Sequence, residues 1–456
     1  MKPYSSYKDS GVEWIGEIPS KWGLSKLKYH THITSSSVDK KYHEGFNKYP
    51  IIHYNDIVRN KKIGINDIVD SGYCSEQQFD SFKVMKGDLI VTKDSMDIKN
   101  VCDSSIIIDD LERCVFGYHL TKFSVMSSNV TPHYLFYFFN NSMIKKFYLT
   151  NSNGTTIIGV GKSIFENTPI NLPPLPEQTQ IVSFLDPKTQ KIDQLIDLTK
   201  NKIELLKEQR IALINQCVTK GLNPNVEMKD SGVVWIGRIP RHWILSKIKY
   251  LKSSENYSLV DGPFGSNLKS VHYVEDGDVY IIESGFVTSG KFKYVRKFKM
   301  ITAEHFETVK RSECSEGDII IAKIGEYYGM CAILPKLEKR TVVSGNSITL
   351  SVSKKHNTNF IHQVILQHRI NGTFKKEVQQ TGQPFISLGV VNNLSIPTPP
   401  ITEQINIMDY LNIQTQKIDS TIEKETQRIE LLKEYRQSLI SEVVTGKIDV
   451  RDEVIA

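Results

Sequence analysis

The stretch Ile203–Leu213, IELLKEQRIAL, is written twice: it returns 226 residues later as Ile429–Leu439, IELLKEYRQSL. The likeness extends in both directions. Pro174, Glu177, Gln178, Ile181 and Leu185 recur as Pro400, Glu403, Gln404, Ile407 and Leu411. TQKID stands whole at Thr189–Asp193 and Thr415–Asp419, and Val218–Thr219 recurs at Val444–Thr445. Polar positions repeat along with apolar ones, so two unrelated amphipathic helices do not explain the match and the architecture is duplicated. A second pair of copies, Tyr7–Tyr29 (YKDSGVEWIGEIPSKWGLSKLKY) and Met228–Tyr250 (MKDSGVVWIGRIPRHWILSKIKY), lies at an offset of 221. Unequal offsets mean that the intervening segments differ in length. Each repeat is therefore a lead-in segment, a divergent body and a helix. Trp14, Trp22, Trp235 and Trp243 are expected to anchor the body on the helix rather than to stack on bases.

Alternate steps of four and three give Ile192, Ile196, Thr199, Ile203, Leu206, Arg210, Leu213 and Cys217 in the first helix. In the second they give Ile418, Ile422, Glu425, Ile429, Leu432, Arg436, Leu439 and Val443. This is a heptad seam with polar interruptions at matching places, and Leu205, Ile214, Leu431 and Ile440 are expected to widen it. The two helices, about 188–217 and 414–443, would each span roughly 45 Å. They are expected to pack on each other, antiparallel if the repeats are related by a two-fold axis. Proline-marked segments, LPPLP at Leu172–Pro176 and IPTPP at Ile396–Pro400, lead into a short helix, with Glu177 and Glu403 where the helix dipole favours an acid. Asp186-Pro187 reads as the N-cap and first position of a new, long helix.

The first body, roughly Leu24–Leu172, carries short β-type runs at Tyr49–His53, Asp88–Thr92 and Ser104–Ile108, then one aromatic-faced helix over Pro132–Leu149. The second, roughly Leu245–Ile396, has strand signals at Val279–Ile282, Asp318–Ile321, Val342–Val343 and Ser347–Val352 and one helix around Asn359–Ile370. Gly87-Asp88 and Gly317-Asp318 supply turn chemistry ahead of an apolar strand. The fold class is α+β: two globular bodies joined by two long helices packed as an antiparallel coiled coil, with internal two-fold pseudo-symmetry. The implied boundaries are 1–172, 173–221, 222–396 and 397–456.

With 24% charged residues and a net charge of +6, composition is that of an ordinary, mildly basic globular protein. The six cysteines form no CxxC pair, which argues for free thiols in a reducing compartment. No secretion signal or membrane-spanning run is expected, and the cytoplasm is the expected location. Catalytic constellations are missing. Gly161-Lys162-Ser163 lacks the earlier glycine of a P-loop, since Thr156 stands there, and no GxGxxG follows a strand. Asn223-Pro224-Asn225 falls short of an amino-methylating motif, and the scattered histidines suggest no metal site. A binding protein is favoured over an enzyme such as a methyltransferase–specificity fusion or nuclease, and over a pure coiled-coil scaffold. Two bodies held by a ~45 Å spacer are of the right order to engage nearby stretches of a duplex, whose turn is about 34–36 Å.

Polar side chains near glycine turns are the candidate DNA contacts. They are Lys61, Lys62, Asn153 and Thr155 in the first body, and Ser266, Asn267, Lys269, Lys323, Gln380 and Gln383 in the second. Lysine suits phosphates, whereas Asn and Gln can contact base edges.

Several motifs together make the chain resemble the specificity subunit of type I restriction–modification systems. These are YKDSGVEWIGEIP and MKDSGVVWIGRIP, the PPxxEQ segments at Pro173–Gln178 and Pro399–Gln404, and the IELLKE helices ending in LINQCVTKG and LISEVVTGK. Gly262–Lys269, GPFGSNLK, and Thr381–Leu388, TGQPFISL, look like one common target-recognition-domain type. The first body has NGTTIIG at Asn153–Gly159 where GQPFISL stands in the second, so the two should recognise different sequences. The resemblance implies a non-catalytic subunit with a target recognition domain in each body, each contacting one half of a gapped site in double-stranded DNA. Helix length would set the gap, through the seam of Ile192, Ile196, Ile203, Leu206, Leu213, Ile418, Ile422, Ile429, Leu432 and Leu439. Two methyltransferase subunits would bring S-adenosylmethionine, and two restriction subunits ATP and Mg. This chain would hold no cofactor or metal, and no membrane partner is implied.

Overall fold

The computed structural model describes residues 2–39, 41–263, 265–377 and 383–453. The chain divides into two units, Met1–Asn201 with Glu425–Ala456, and Lys202–Lys424. The repeats therefore do not coincide with the units. The first long helix, Leu175–Lys220, gives its beginning to the first unit and its end to the second; the other, Ile401–Val444, does the reverse.

In the first unit a five-stranded sheet has the order Thr31–Ser35, Leu120–Val125, Leu89–Thr92, Ser104–Ile107, Lys62–Ile63, antiparallel except for its last pair. A three-stranded sheet centres on Asn47–Ile52, parallel to Val115–Phe116 and antiparallel to Ser71–Cys74. The second unit repeats the plan. One antiparallel sheet runs Leu259–Asp261, Ser347–Leu350, Ile319–Ala322, Cys331–Ile333. In the other, Val279–Ile282 lies parallel to Arg340–Val343 and antiparallel to Lys299–Ile301. The central strands, Leu89–Thr92 and Ile319–Ala322, are buried at every position, in keeping with their apolar runs, and the one polar side chain, Thr92, donates to Asn100 O.

The aromatic-rich run of the first body forms two helices, Pro132–Phe139 and Ser142–Thr150, not the one expected. Asn140 and Asn141 break it: Asn141 caps the second helix by accepting from Met143 N, and Asn140 turns its amide onto Phe136 O and Ser104 Oγ. The break expected at Asp186-Pro187 is also corrected, because the helix runs through it. Proline removes one helical donor and crowds the carbonyl four residues back. Tertiary contacts hold the segment nonetheless: Tyr137 donates to Asp186 Oδ1 at 2.5 Å, and its hydroxyl lies 3.1 Å from Thr189 Oγ1.

The long helices run antiparallel within each unit. In the first, Gln180 donates to the carbonyls of Val450 and Glu453, while Asp193 meets Arg436. In the second, Arg210 meets Asp419, and a Cβ at Gly221 would lie 3.2 Å from Glu403 Oε1. The arginines that interrupt the seam are thereby explained. Each forks onto the aspartate of the opposite TQKID copy, with Nε–Oδ1 separations of 2.8 Å for Arg436–Asp193 and 2.9 Å for Arg210–Asp419. Ile192, Ile196, Ile203, Ile429 and Leu439 are buried; Leu206, Leu213, Ile418, Ile422 and Leu432 are half-buried. Ile214 and Ile440 join the buried face, but Leu205 and Leu431 do not widen it: each is 64% exposed.

The lead-in segments fold as short hairpins, Tyr7–Asp9 with Glu17–Pro19 and Met228–Asp230 with Arg238–Pro240. Trp22 and Trp243 beyond them are wholly buried, which fits anchoring. All six cysteines are free and buried.

Candidate nucleic-acid interface

The PPxxEQ motif fixes each body to its helix. Gln178, fully buried, accepts from Thr131 N at 2.9 Å and donates to Asn129 O and Pro173 O. Gln404, equally buried, accepts from Asn357 N at 2.8 Å and donates to Pro399 O. Thr131 and Asn357 are the N-caps of the helices Pro132–Phe139 and Thr358–Ile370, so each glutamine ties a body helix to the start of a long one. Glu177 does more than complement a dipole. It accepts from Trp22 Nε1 at 3.0 Å and from Tyr4, whose phenol is pushed up by burial and by that carboxylate. In the second unit Glu403 takes His242 at 2.9 Å instead.

At one edge of each body, four segments are drawn together by the same set of main-chain bonds. In the first body Ser36 N donates to Leu120 O, Lys93 N to His119 O at 3.0 Å, and Val160 N to Lys93 O at 2.8 Å. In the second Gly262 N donates to Ser347 O, Lys323 N to Asn346 O at 2.8 Å, and Ile386 N to Lys323 O at 3.0 Å. Lys93 and Lys323 thus occupy the same structural position. Short bridges complete the set: Ile158–Gly159 pairs with Asp94–Ser95, and Ile324 with Phe385. Gly262 is required by its surroundings, since a Cβ there would lie 1.9 Å from Ser344 O.

The candidate contacts distribute unevenly over this cluster. Asn153 and Thr155 are exposed on the turn closed by the Asn153–Gly159 bridge. Asn267 and Lys269 are exposed on the loop after Gly262, and Gln383 is exposed beside Gly325. Ser266 lies in the short helix Gly265–Asn267. Lys323 is only 4% exposed, with Nζ 2.9 Å from Asp261 Oδ2. Gln380 lies outside the described residues. Lys61 and Lys62 sit away from the cluster, at the strand Lys62–Ile63. Lys61 pairs with Asp103 at 3.3 Å, its ammonium lowered by burial against the pull of that carboxylate, and Lys62 pairs with Asp186 of the long helix at 3.3 Å.

Other residues at these edges were not singled out from sequence. In the first body they are Asp94, bonded to His119, and Tyr118, 48% exposed with its ring 3.8 Å from that of His119. In the second they are Glu283, Arg296 and Lys299, which line a groove of about 430 Å³ with Gly265 and Asn346. His272 and His305 stack at 4.0 Å beside the 265–269 loop. Partial burial, His305 and Lys269 lower the His272 imidazole. At the second edge two bases share one acid twice over, Arg296 and Lys299 on Glu283 and Arg311 and Lys323 on Asp261. Among the described residues, no helix is long and apolar enough to cross a membrane.

Comparison with known proteins accounts for the duplicated plan. The family model for the type I restriction modification DNA specificity domain matches residues 19–208 and 266–434, well over half the chain. The MjaVIII type I restriction enzyme specificity subunit of Methanocaldococcus jannaschii is 26% identical over 322 residues, covering 70% of this chain and 71% of that protein. Two solved structures share the fold at 14% identity. One, from work on complex assembly and conformational transition of the type I R-M system, has a TM-score of 0.70 and covers 94% of this chain and 99% of that one. The HsdS subunit from Thermoanaerobacter tengcongensis has a TM-score of 0.53, covering 94% and 98%. With its two matched regions, each a mixed α/β body leading into a long helix, this chain belongs to the type I restriction–modification specificity subunit family.

Proposed function

We propose that this specificity subunit recognises a gapped, two-part site on double-stranded DNA, with the loop cluster of each body contacting one half. The observation that carries this is the twofold construction of the cluster. Identical main-chain ties through Lys93 and Lys323 hold loops of different sequence, NGTTIIG in one and GQPF in the other. A constant frame with variable side chains is the arrangement expected of two readers with different targets. Asn153, Thr155, Ser266, Asn267, Lys269 and Gln383 are the proposed contacts on these loops, and Gln380, outside the described residues, is proposed from the sequence alone. Lys61 and Lys62 would serve phosphates farther out, and Lys323 would act from within the cluster. The helical segments would set the gap and dock two methyltransferase subunits, with two restriction subunits completing the assembly.

The partner subunits would bring S-adenosylmethionine for adenine methylation, and ATP with Mg for restriction. This chain's residues bind and orient the duplex, while the partner extracts the target base. Binding through several lysines makes affinity fall steeply with salt. The proposed place of action is the cytoplasm.

The test maps N6-methyladenine in cells carrying the cognate methylating subunit, with and without this chain. A gapped two-part motif present only with the chain is expected, and exchange of residues 24–172 should change one half alone. An associated, soluble complex that methylates no defined motif would refute the proposal and leave a helical scaffold.

A further inference from the structure

The strand that is parallel-paired in each body is followed by a side chain that faces the neighbouring strand, an acid facing two bases in one body and a histidine facing an acid in the other. In the second body Glu283 follows Val279–Ile282. Its Oε2 lies 2.8 Å from Arg296 and its Oε1 accepts from Lys299 Nζ at 2.8 Å, just as Lys299–Ile301 begins. In the first body the equivalent residue is His53, after Asn47–Ile52. Its Nε2 lies 3.8 Å from Asp70, just ahead of Ser71–Cys74. One position in a shared frame thus presents basic side chains held by an acid in one body, and an acid beside a histidine in the other.

The second-body pair opens on the groove beside the Gly262–Lys269 loop. Glu283 is largely covered, its side chain 16% exposed, whereas that of Arg296 is 53% exposed. The Arg296 guanidinium lies 5.9 Å from the ring of buried Phe286, and one of its nitrogens is engaged by Glu283. A planar group held on one side by a carboxylate and supported by an aromatic ring has lost much of its rotational freedom before any ligand arrives. Among the described residues its other N–H groups have no hydrogen-bond partner, and the side chain lines the groove.

We propose that Arg296, positioned by Glu283, is a specificity-determining residue of the second body that recognises a guanine. Two guanidinium N–H groups would donate to guanine O6 and N7, the pairing that separates G·C from every other base pair in the major groove. This rests on the reading that the second body contacts one half of the site. Arg296→Lys supplies charge but no fork, and Glu283→Gln leaves the fork without its ionic support. His53 and Asp70 at the equivalent place offer no such fork, so the two halves should differ at the corresponding base pair.

The experiment uses the full chain in complex with its methylating partner. Duplexes carry the motif found by methylation mapping, together with every single base-pair replacement. The wild-type complex should discriminate at one guanine of the second-body half by about 10- to 100-fold. Arg296→Ala and Arg296→Lys should both abolish that discrimination and leave the other half unchanged, and Glu283→Gln should weaken it at the same base pair. A second-body half without guanine overturns the proposal. So does an Arg296→Ala complex that binds all sequences more weakly by one factor, with a salt slope lower by about 1, because that is a phosphate contact. Absence of any two-part motif with the wild-type chain would instead refute the underlying reading.

Discussion

Replacing Lys323 by methionine tests whether the second loop cluster depends on a buried charge. The Lys323 side chain is 5% exposed and that of Asp261 11%, with 2.9 Å between Nζ and Oδ2. Removing one partner from such a pair strands the other charge, at a cost of about 3–5 kcal/mol. Arg311, 3.4 Å from Asp261 Oδ1 and 56% exposed, retains part of the compensation, so the expected loss is about 3 kcal/mol. The assay is native-state hydrogen exchange, which resolves the second body from the first. Amides of Ile319–Ala322 and the Ile386 N–H, which is bonded to Lys323 O, should exchange about 100-fold faster. Leu89–Thr92 in the first body should be unaffected. Asp261→Leu combined with Lys323→Met removes both charges and should recover most of the protection. Equal acceleration in the single and double variants would show that lost packing, not the stranded carboxylate, governs the cluster.

Exchanging the charges of Asp193 and Arg436 should restore most of what Asp193→Arg alone loses. Because Asp193 is 49% exposed, the coupling measured in a double-mutant cycle should be only about 1 kcal/mol. Gly221→Ala should cost about 1–2 kcal/mol for its positive φ. Gly446→Ala should cost more, because its Cβ would also meet Pro19 Cδ at 2.4 Å against a nearest contact of 3.1 Å at Gly221; hydrogen exchange in the respective units gives both values. Burial pushes the His368 imidazole down to about 4 from an ordinary value near 6.5. The unfolded chain then binds the proton first, so stability is complete above about pH 6.5 and falls by about 3 kcal/mol as the pH drops to 4. His368→Gln should flatten that slope, with the emission of Trp235, whose ring lies 4.6 Å from His368, reporting the transition.

The helices were legible because duplication marks them: a repeated heptad seam and a repeated TQKID are hard to accommodate except on paired helices. The arginine interruptions looked like defects in that seam until Asp193 and Asp419 were seen opposite them, a relation 209 and 243 residues apart in sequence. Asp186-Pro187 misled because local proline chemistry was overridden by Tyr137, a contact no local pattern contains. Leu205 and Leu431 misled because an apolar residue in a helix signals burial only on average. In the bodies, strand positions followed from apolar runs, but the cluster of Lys93 and Lys323 is joined by main-chain bonds between distant segments, which leave no pattern of side chains in the sequence. Glu283, Arg296 and His53 carried no motif, and only equivalent places in two sheets set them side by side.

The division of the long helices between the units has a consequence for assembly. The first unit needs residues from Glu425 onward, and the second needs Lys202–Lys220 from the opposite repeat. Nicked between residues 222 and 227, the molecule would become two fragments, neither holding all the parts of either unit. Stability would then depend on fragment concentration by mass action, as for an obligate dimer. The short junction between the repeats thus acts as a tether, converting a bimolecular equilibrium into an intramolecular one.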